Sequence, residues 1–133
     1  MIVVDTNIIS YLYISGERSQ QVERLLADDS EWVAPILWRS EFRSVLSKYL
    51  RKNLLPIEDV LMIIQQAEKL MTDKEYEVAS SHIMQLVNSS NCSSYDCEFV
   101  ALAQFLDVPL ITADKKIYTE FPKNAKSLDS YFA

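Results

Sequence analysis

Apolar residues along the chain fall into short hydrophobic runs separated by longer stretches with helical spacing. Met1 to Val4 is an apolar run that ends at an acid, Asp5, and predicts a buried strand. Asp5-Thr6-Asn7 then supplies capping chemistry for a helix through about Tyr13. Gly16 with Ser15 and Glu17 marks a turn, after which Val22, Leu25 and Leu26 give Ser19–Ala27 one apolar face. Trp32-Val33-Ala34, stopped by Pro35, predicts a second strand. Trp38, Phe42, Val45, Leu46 and Tyr49 recur at helical spacing within Ile36–Leu50. Pro56, with Glu58 and Asp59 behind it, opens a helix to about Met71, with the proline expected in the first turn.

The second half is more uneven. Tyr76 to Ala79 reads equally as strand or loop, and Ser81 is the expected cap of a helix through Val87. Asn88 to Ser94 is polar and turn-like, and Tyr95 to Leu106 is strongly helical. Val108 to Thr112 predicts another buried strand, which runs into Ala113-Asp114, and a last short strand is expected near Ala125 to Leu128. Short strands between long helices predict one α/β domain over residues 1–133, helix-rich, with a short parallel sheet covered on both faces.

Composition narrows the chemistry. The 133 residues contain a single glycine, Gly16, against the roughly nine of average usage. That excludes Gly-rich phosphate loops, which need at least two. Two cysteines (Cys92, Cys97) and one histidine (His82) cannot build a four-ligand zinc site, and the thiols read as buried and reduced. No apolar run approaches the ~18 residues of a membrane span, and Met1-Ile2-Val3-Val4-Asp5 has no basic leader. A cytoplasmic protein without membrane association is the expectation.

Net charge is −6, which argues against a surface that grips nucleic acid everywhere. Two segments depart from it. Ile36–Lys52 holds five bases against one acid, and Lys115–Lys126 four lysines against one acid. Arg39 and Arg43, flanking Glu41, and Lys115 and Lys116, following Asp114, are the candidates for phosphate contact, with surface ion pairs as the alternative.

Ligands of an open parallel sheet bind beyond the carboxyl ends of its strands. Asp5 and Asp114 follow two predicted strands directly. Glu41 lies against the apolar stripe of a helix that starts from the same edge, and Asp96 heads the buried face of the helix before the last core strand. Carboxylates gathered without cations repel one another. An oxygen-rich, histidine-free set suits Mg²⁺ or Mn²⁺, which serve phosphoryl displacement.

Four stretches carry a resemblance: Val3-Val4-Asp5-Thr6-Asn7, Ser40-Glu41-Phe42-Arg43-Ser44-Val45-Leu46, Ser94 to Ala103 around Asp96, and Val108 to Lys116 around Asp114. In that order they resemble the PIN-domain ribonucleases, and among these the VapC-like toxins of bacterial toxin–antitoxin pairs. The resemblance spans Ile2 to about Leu128. It implies a three-layer α/β/α sandwich and a Mg²⁺- or Mn²⁺-dependent endoribonuclease that cuts single-stranded RNA. By motif position, Asp5, Glu41, Asp96 and Asp114 match the catalytic acids, with Asp5, Asp96 and Asp114 as metal ligands. Thr6, Asn7 and Thr112 match supporting polar positions. Cys97 and Ser44 depart from the commonest residues at their places, alanine and asparagine. The resemblance also implies a small cognate antitoxin. Ile9, Tyr11, Leu12 and Tyr13 are a candidate surface for that partner or for a homodimer, with core packing as the alternative. A non-catalytic PIN-like module that binds RNA or protein is the alternative. A phosphoacceptor receiver would need paired acids after the first strand, and a haloacid-type phosphatase an aspartate where Asn7 stands. His82 reads as a surface or capping residue.

Overall fold

The structure is a computed structural model and describes residues 1–133. Strand β1 (Ile2–Val4) leads into helices α1 (Thr6–Tyr13) and α2 (Ser19–Asp28), which return the chain to β2 (Trp32–Pro35). Helices α3 (Trp38–Arg51) and α4 (Ile57–Leu70) connect to β3 (Glu75–Tyr76). Helices α5 (Ser80–Asn88) and α6 (Ser94–Leu106) then lead to β4 (Leu110–Ile111). Finally α7 (Lys115–Glu120), β5 (Ala125–Lys126) and α8 (Leu128–Phe132) complete the chain.

The five strands form one sheet in the order β3-β2-β1-β4-β5, and every pairing is parallel. Val3 of the central strand is in register with Val33 on one side and Leu110 on the other. The chain winds outward from β1 through β2 to β3, then crosses to the other side for β4. The sheet order therefore reverses between β1 and β4, the position where an open parallel sheet leaves a crevice. Helix α6 packs across β1, β2 and β4, while α1 packs against α2, α3 and α4. The result is the helix-rich three-layer α/β/α sandwich expected from the alternation of elements. No helix is long and apolar enough to cross a membrane.

Boundaries differ from expectation where side chains outside the apolar pattern decide them. Helix α5 starts at Ser80 behind an extended Ala79, so Ser81 lies inside the helix and caps nothing. Pro56 sits one position earlier than expected, as the extended residue preceding α4. The ambiguous segment forms a strand only at Glu75–Tyr76. The strand expected to reach Leu128 ends at Lys126, because the Ser127 hydroxyl accepts the Ser130 N–H at 3.1 Å and starts α8. Helix α7 has no counterpart in the apolar pattern. Asp114 starts it by accepting the Lys116 N–H at 2.9 Å.

The shortage of glycine is met by short polar residues. Asn53, Asp73 and Asp107 take left-handed backbone conformations, with φ between 54° and 62°. These are the non-glycine residue types that tolerate that region best.

Two buried tryptophans, Trp32 and Trp38, differ in one respect. Trp38 Nε1 donates to Glu75 Oε2 at 2.8 Å, and Arg39 grips both oxygens of the same carboxylate at 2.6 and 2.8 Å. These bonds pin edge strand β3 to the start of α3, and the Arg39 guanidinium holds the Glu75 carboxyl below its usual range. Trp32 Nε1 is equally buried but has no hydrogen-bond partner. An unmet buried donor costs about 1–3 kcal/mol, comparable to the volume lost in a Trp→Phe exchange. Trp32→Phe is therefore expected to leave stability within about 1 kcal/mol of the parent, and Trp38→Phe to lose about 1–3 kcal/mol. Urea unfolding of both variants checks this; a costlier Trp32→Phe would contradict it.

Candidate active site

The central position of β1 dictates where Asp5 goes. Val4 is fully buried between β2 and β4, and the next residue leaves the sheet at the crevice. Asp5 caps α1 by accepting the Thr6 N–H on Oδ1 at 2.8 Å. The capping role and a place in the site are thus compatible, because a carboxylate has a second oxygen to spare. Oδ2 accepts the Thr112 hydroxyl at 2.7 Å across the β1–β4 gap. The Asn7 amide approaches the same oxygen at 3.4 Å.

Neighbouring elements bring the other acids to this point. Glu41, in the first turn of α3, accepts the Thr6 hydroxyl on Oε1 at 2.7 Å. Asp96 stands in the first turn of α6, where the Ser93 hydroxyl caps its N–H at 3.1 Å. Asp114 follows β4, and its N–H donates to Thr112 Oγ1 at 3.0 Å. Thr112 thus links Asp114 to Asp5 through one hydroxyl. The loop after β4 is further fixed by the Ala113 N–H, which donates to Asn7 Oδ1 at 3.2 Å. Asp5, Thr6, Asn7, Glu41, Asp96 and Asp114 line one open cleft of about 310 Å³, together with Ser44 and Val45.

Electrostatics follow from this crowding. Burial pushes the Asp5 carboxyl up to about 6, against the hydrogen bonds from Thr112 and Thr6, and Asp96 and Asp114 push it further. Burial also raises Glu41, opposed by the Thr6 hydroxyl and reinforced by Asp5, Asp96 and Glu98. Asp96 is raised by burial and by Asp114, with Lys116 acting in the opposite sense. Glu98, two residues after Asp96, adds negative charge near Glu41, and burial raises its own carboxyl. Glu98 lies inside the stretch around Asp96, but nothing in its spacing marks it as a neighbour of Glu41. Glu41 and Glu98 lie on different helices, α3 and α6, so the effect of one on the other arises only in the folded chain.

The donor set is all oxygen, which suits a hard divalent cation in type and charge. It is open as it stands, since no three potential ligands are close enough together to hold an ion. Asp5, Asp96 and Asp114 are the residues available to hold one.

The basic candidates separate. Arg39 is committed to Glu75, with Glu68 at 3.6 Å, so it is an ion-paired structural residue and not free to meet phosphate. Arg43 is exposed and donates from one guanidinium nitrogen to Ser40 Oγ at 3.1 Å. Lys115 and Lys116 are exposed at the start of α7, and Lys116 lies near enough to lower Asp96. His82 pairs with Gln104 at 2.7 Å, away from the acids. Cys92 and Cys97 are buried free thiols raised by burial, Cys92 to about 11. Ile9 is fully buried, so it cannot belong to a partner surface.

Comparison with known proteins agrees with this architecture. The PIN domain family model matches residues 2–123. Ribonuclease VapC3 from Pyrobaculum aerophilum is 27% identical over 124 residues, 91% of this chain and 95% of that protein. The crystal structure of PAE2754 from Pyrobaculum aerophilum shares the fold with a TM-score of 0.73 at 16% identity, over 98% of this chain and 92% of that one. FitAcB from Neisseria gonorrhoeae does so with a TM-score of 0.75 at 15% identity, over all of both chains. On the match across residues 2–123, the chain belongs to the PIN domain family.

Proposed function

We propose that this chain is a Mg²⁺- or Mn²⁺-dependent endoribonuclease that hydrolyses phosphodiester bonds of single-stranded RNA. The observation that carries the reading is the meeting of Asp5, Glu41, Asp96 and Asp114 in one cleft at the sheet's switch point. The 27% identity to a protein named Ribonuclease VapC3 supports the same class of activity. Asp5, Asp96 and Asp114 would hold the cation. When bound, it supplies charge neutralisation and Lewis-acid activation of the phosphodiester and of water.

The chain's own residues set the rest. Thr112 and the Thr6 N–H fix both oxygens of Asp5, so this carboxylate cannot rotate away from the cleft. Thr6 holds Oε1 of Glu41 and leaves Oε2 to accept or return a proton, and burial raises this carboxyl above its usual range. Lys116 and the exposed Arg43 offer positive charge to a nucleic-acid backbone beside the acids.

A free nuclease is hazardous to its host, and the reading includes a small cognate antitoxin. An acidic cleft without its cation complements a guanidinium or ammonium group, so the partner is expected to insert an arginine or lysine among the four acids. Homodimerisation belongs to the same proposal.

Purified protein is to be incubated with varied single-stranded RNAs, with Mn²⁺ or Mg²⁺ and with EDTA. Cleavage with either metal and none with EDTA is expected. Equal cleavage under both conditions would refute metal dependence. No cleavage of any RNA would leave the non-catalytic binding module.

A further inference from the structure

Beside the acidic cleft lies a second, deeper hollow of about 360 Å³, between α1, the α1–α2 turn and the outer half of α3. The two adjoin, because Asn7 and Val45 line both. Its walls are mixed in a particular way. Tyr11, Ile14, Val45 and Tyr49 supply an apolar and aromatic lining, while Arg18 and Glu17 stand exposed at the rim.

The wall is fixed in shape. Ser19 Oγ donates to the Tyr11 carbonyl at 2.7 Å, with the Ile14 carbonyl at 3.2 Å as a second acceptor. The same hydroxyl accepts the Gly16 N–H at 3.0 Å. One serine therefore clamps the end of α1 to the turn and holds Tyr11 and Ile14 in place. Tyr13, by contrast, turns the other way, packs edge-on against Phe42 and donates to the Gln66 carbonyl. Tyr11 and Tyr49 face the hollow with their rings half-buried.

Single-stranded RNA is read by splaying its bases onto aromatic side chains and meeting their edges with polar groups. A hollow of this size lies within the range of small-ligand pockets. It adjoins the cleft where, on the nuclease reading, a phosphodiester would be cut. Its rim carries a donor in Arg18 and an acceptor in Glu17, groups of the kind that meet base edges. We propose that this hollow is a nucleobase subsite, in which Tyr11 and Tyr49 stack the base of a nucleotide next to the scissile bond and Arg18 meets its edge or its phosphate. The inference rests on the nuclease reading for the direction of the strand, but the binding it describes is measurable without cleavage.

The test uses the full Asp5→Asn chain, which on the reading above binds RNA without cutting it. Binding of a short, fluorescein-labelled single-stranded RNA of random sequence is followed by anisotropy. The same RNA carrying 4-thiouridine is photocross-linked and the attachment sites are mapped by mass spectrometry. Adding Tyr49→Ala or Tyr11→Ala is expected to weaken binding about 5- to 100-fold, while Tyr49→Phe stays within about twofold. Cross-links are expected on the peptides holding Tyr11 or Tyr49. The two alanine variants are assayed separately, each with a thermal melt, so that one misfolded variant leaves the other informative. Unchanged affinity in a folded alanine variant, or cross-links confined to other surfaces, would overturn the proposal. So would loss of a co-purified protein partner on Tyr49→Ala with RNA affinity intact, which would make the hollow a protein-docking groove. If parent protein cuts no RNA with Mn²⁺ while tyrosine-dependent binding persists, the subsite stands and the nuclease reading alone fails.

Discussion

Asp5→Asn is expected to abolish RNA cleavage while making the protein more stable at neutral pH. The Asp5 carboxyl is raised from 3.8 to about 6, chiefly by burial. The folded state thus holds its proton more tightly than the unfolded chain does. Between about pH 4 and 6 the folded state binds more protons, so stability falls as pH rises through that window and stays lower above it. A rise of that size corresponds to on the order of 2–3 kcal/mol. Asparagine removes that charge but gives up one acceptor, since its –NH2 must replace either Oδ1, which accepts the Thr6 N–H, or Oδ2, which accepts the Thr112 hydroxyl. The net gain is therefore expected near 1–2 kcal/mol at about pH 7.5, with little gain at about pH 4. Glu41 and Asp96 are raised by burial too, so part of the pH slope should survive the substitution. Cleavage should fall by at least about 10²–10³-fold, on the order of the loss when one group aimed at developing charge is removed. Melting curves at those two pH values, with a cleavage assay in Mn²⁺, check both halves. A clear fall in melting temperature at the higher pH would show that Asp5 matters first as the cap of α1.

Phe42→Ala should have the largest effect on folding. Phe42 follows Glu41, is fully buried, and packs its ring against Trp38 at 5.7 Å and Tyr13 at 6.4 Å. It therefore joins α3 to α1, the two helices whose first turns present Glu41 and Thr6. Truncating a buried Phe typically costs about 3–5 kcal/mol, a large share of the roughly 5–15 kcal/mol that holds a small domain together. Activity should drop even where the variant remains folded, because a displacement of about 1 Å in a catalytic group can cost on the order of 10²-fold. Phe42→Leu keeps most of the apolar volume and should recover much of the stability. Urea denaturation and cleavage measured together separate the two effects. A variant that is destabilised by the expected amount yet cleaves at the parental rate would show that Glu41's position does not depend on this packing.

Much of the site is legible in the sequence because its members are tied to element boundaries. An acid directly after an apolar run must leave the sheet at the strand's carboxyl end, which places Asp5 and Asp114 on one edge. An acid on the apolar stripe of a helix must face inward, which places Glu41 and Asp96. Both arguments use only the period of side chains along a strand or helix, and local sequence sets that period. The alternation of short strands and long helices defines the α/β class for the same reason.

What local period cannot supply is which elements become neighbours. That Thr112 spans the gap to Asp5 depends on β4 lying beside β1, that Thr6 holds Glu41 depends on α1 packing against α3, and that Glu98 adds its charge depends on where the fold brings α6. Arg39 flanks Glu41 in sequence, yet its charge is taken by Glu75, 36 residues away on β3. Helices α7 and α8 leave no periodic signal because they are one or two turns long and are started by side-chain caps. The hollow beside the acids is hidden from the sequence for a related reason: its tyrosines lie on two different helices. The sequence by itself determined the element types and the inward-facing acids. Only the tertiary structure decided their partners, because a hydrogen bond or ion pair between distant residues depends on how the sheet is ordered, and no single helix or strand encodes that order.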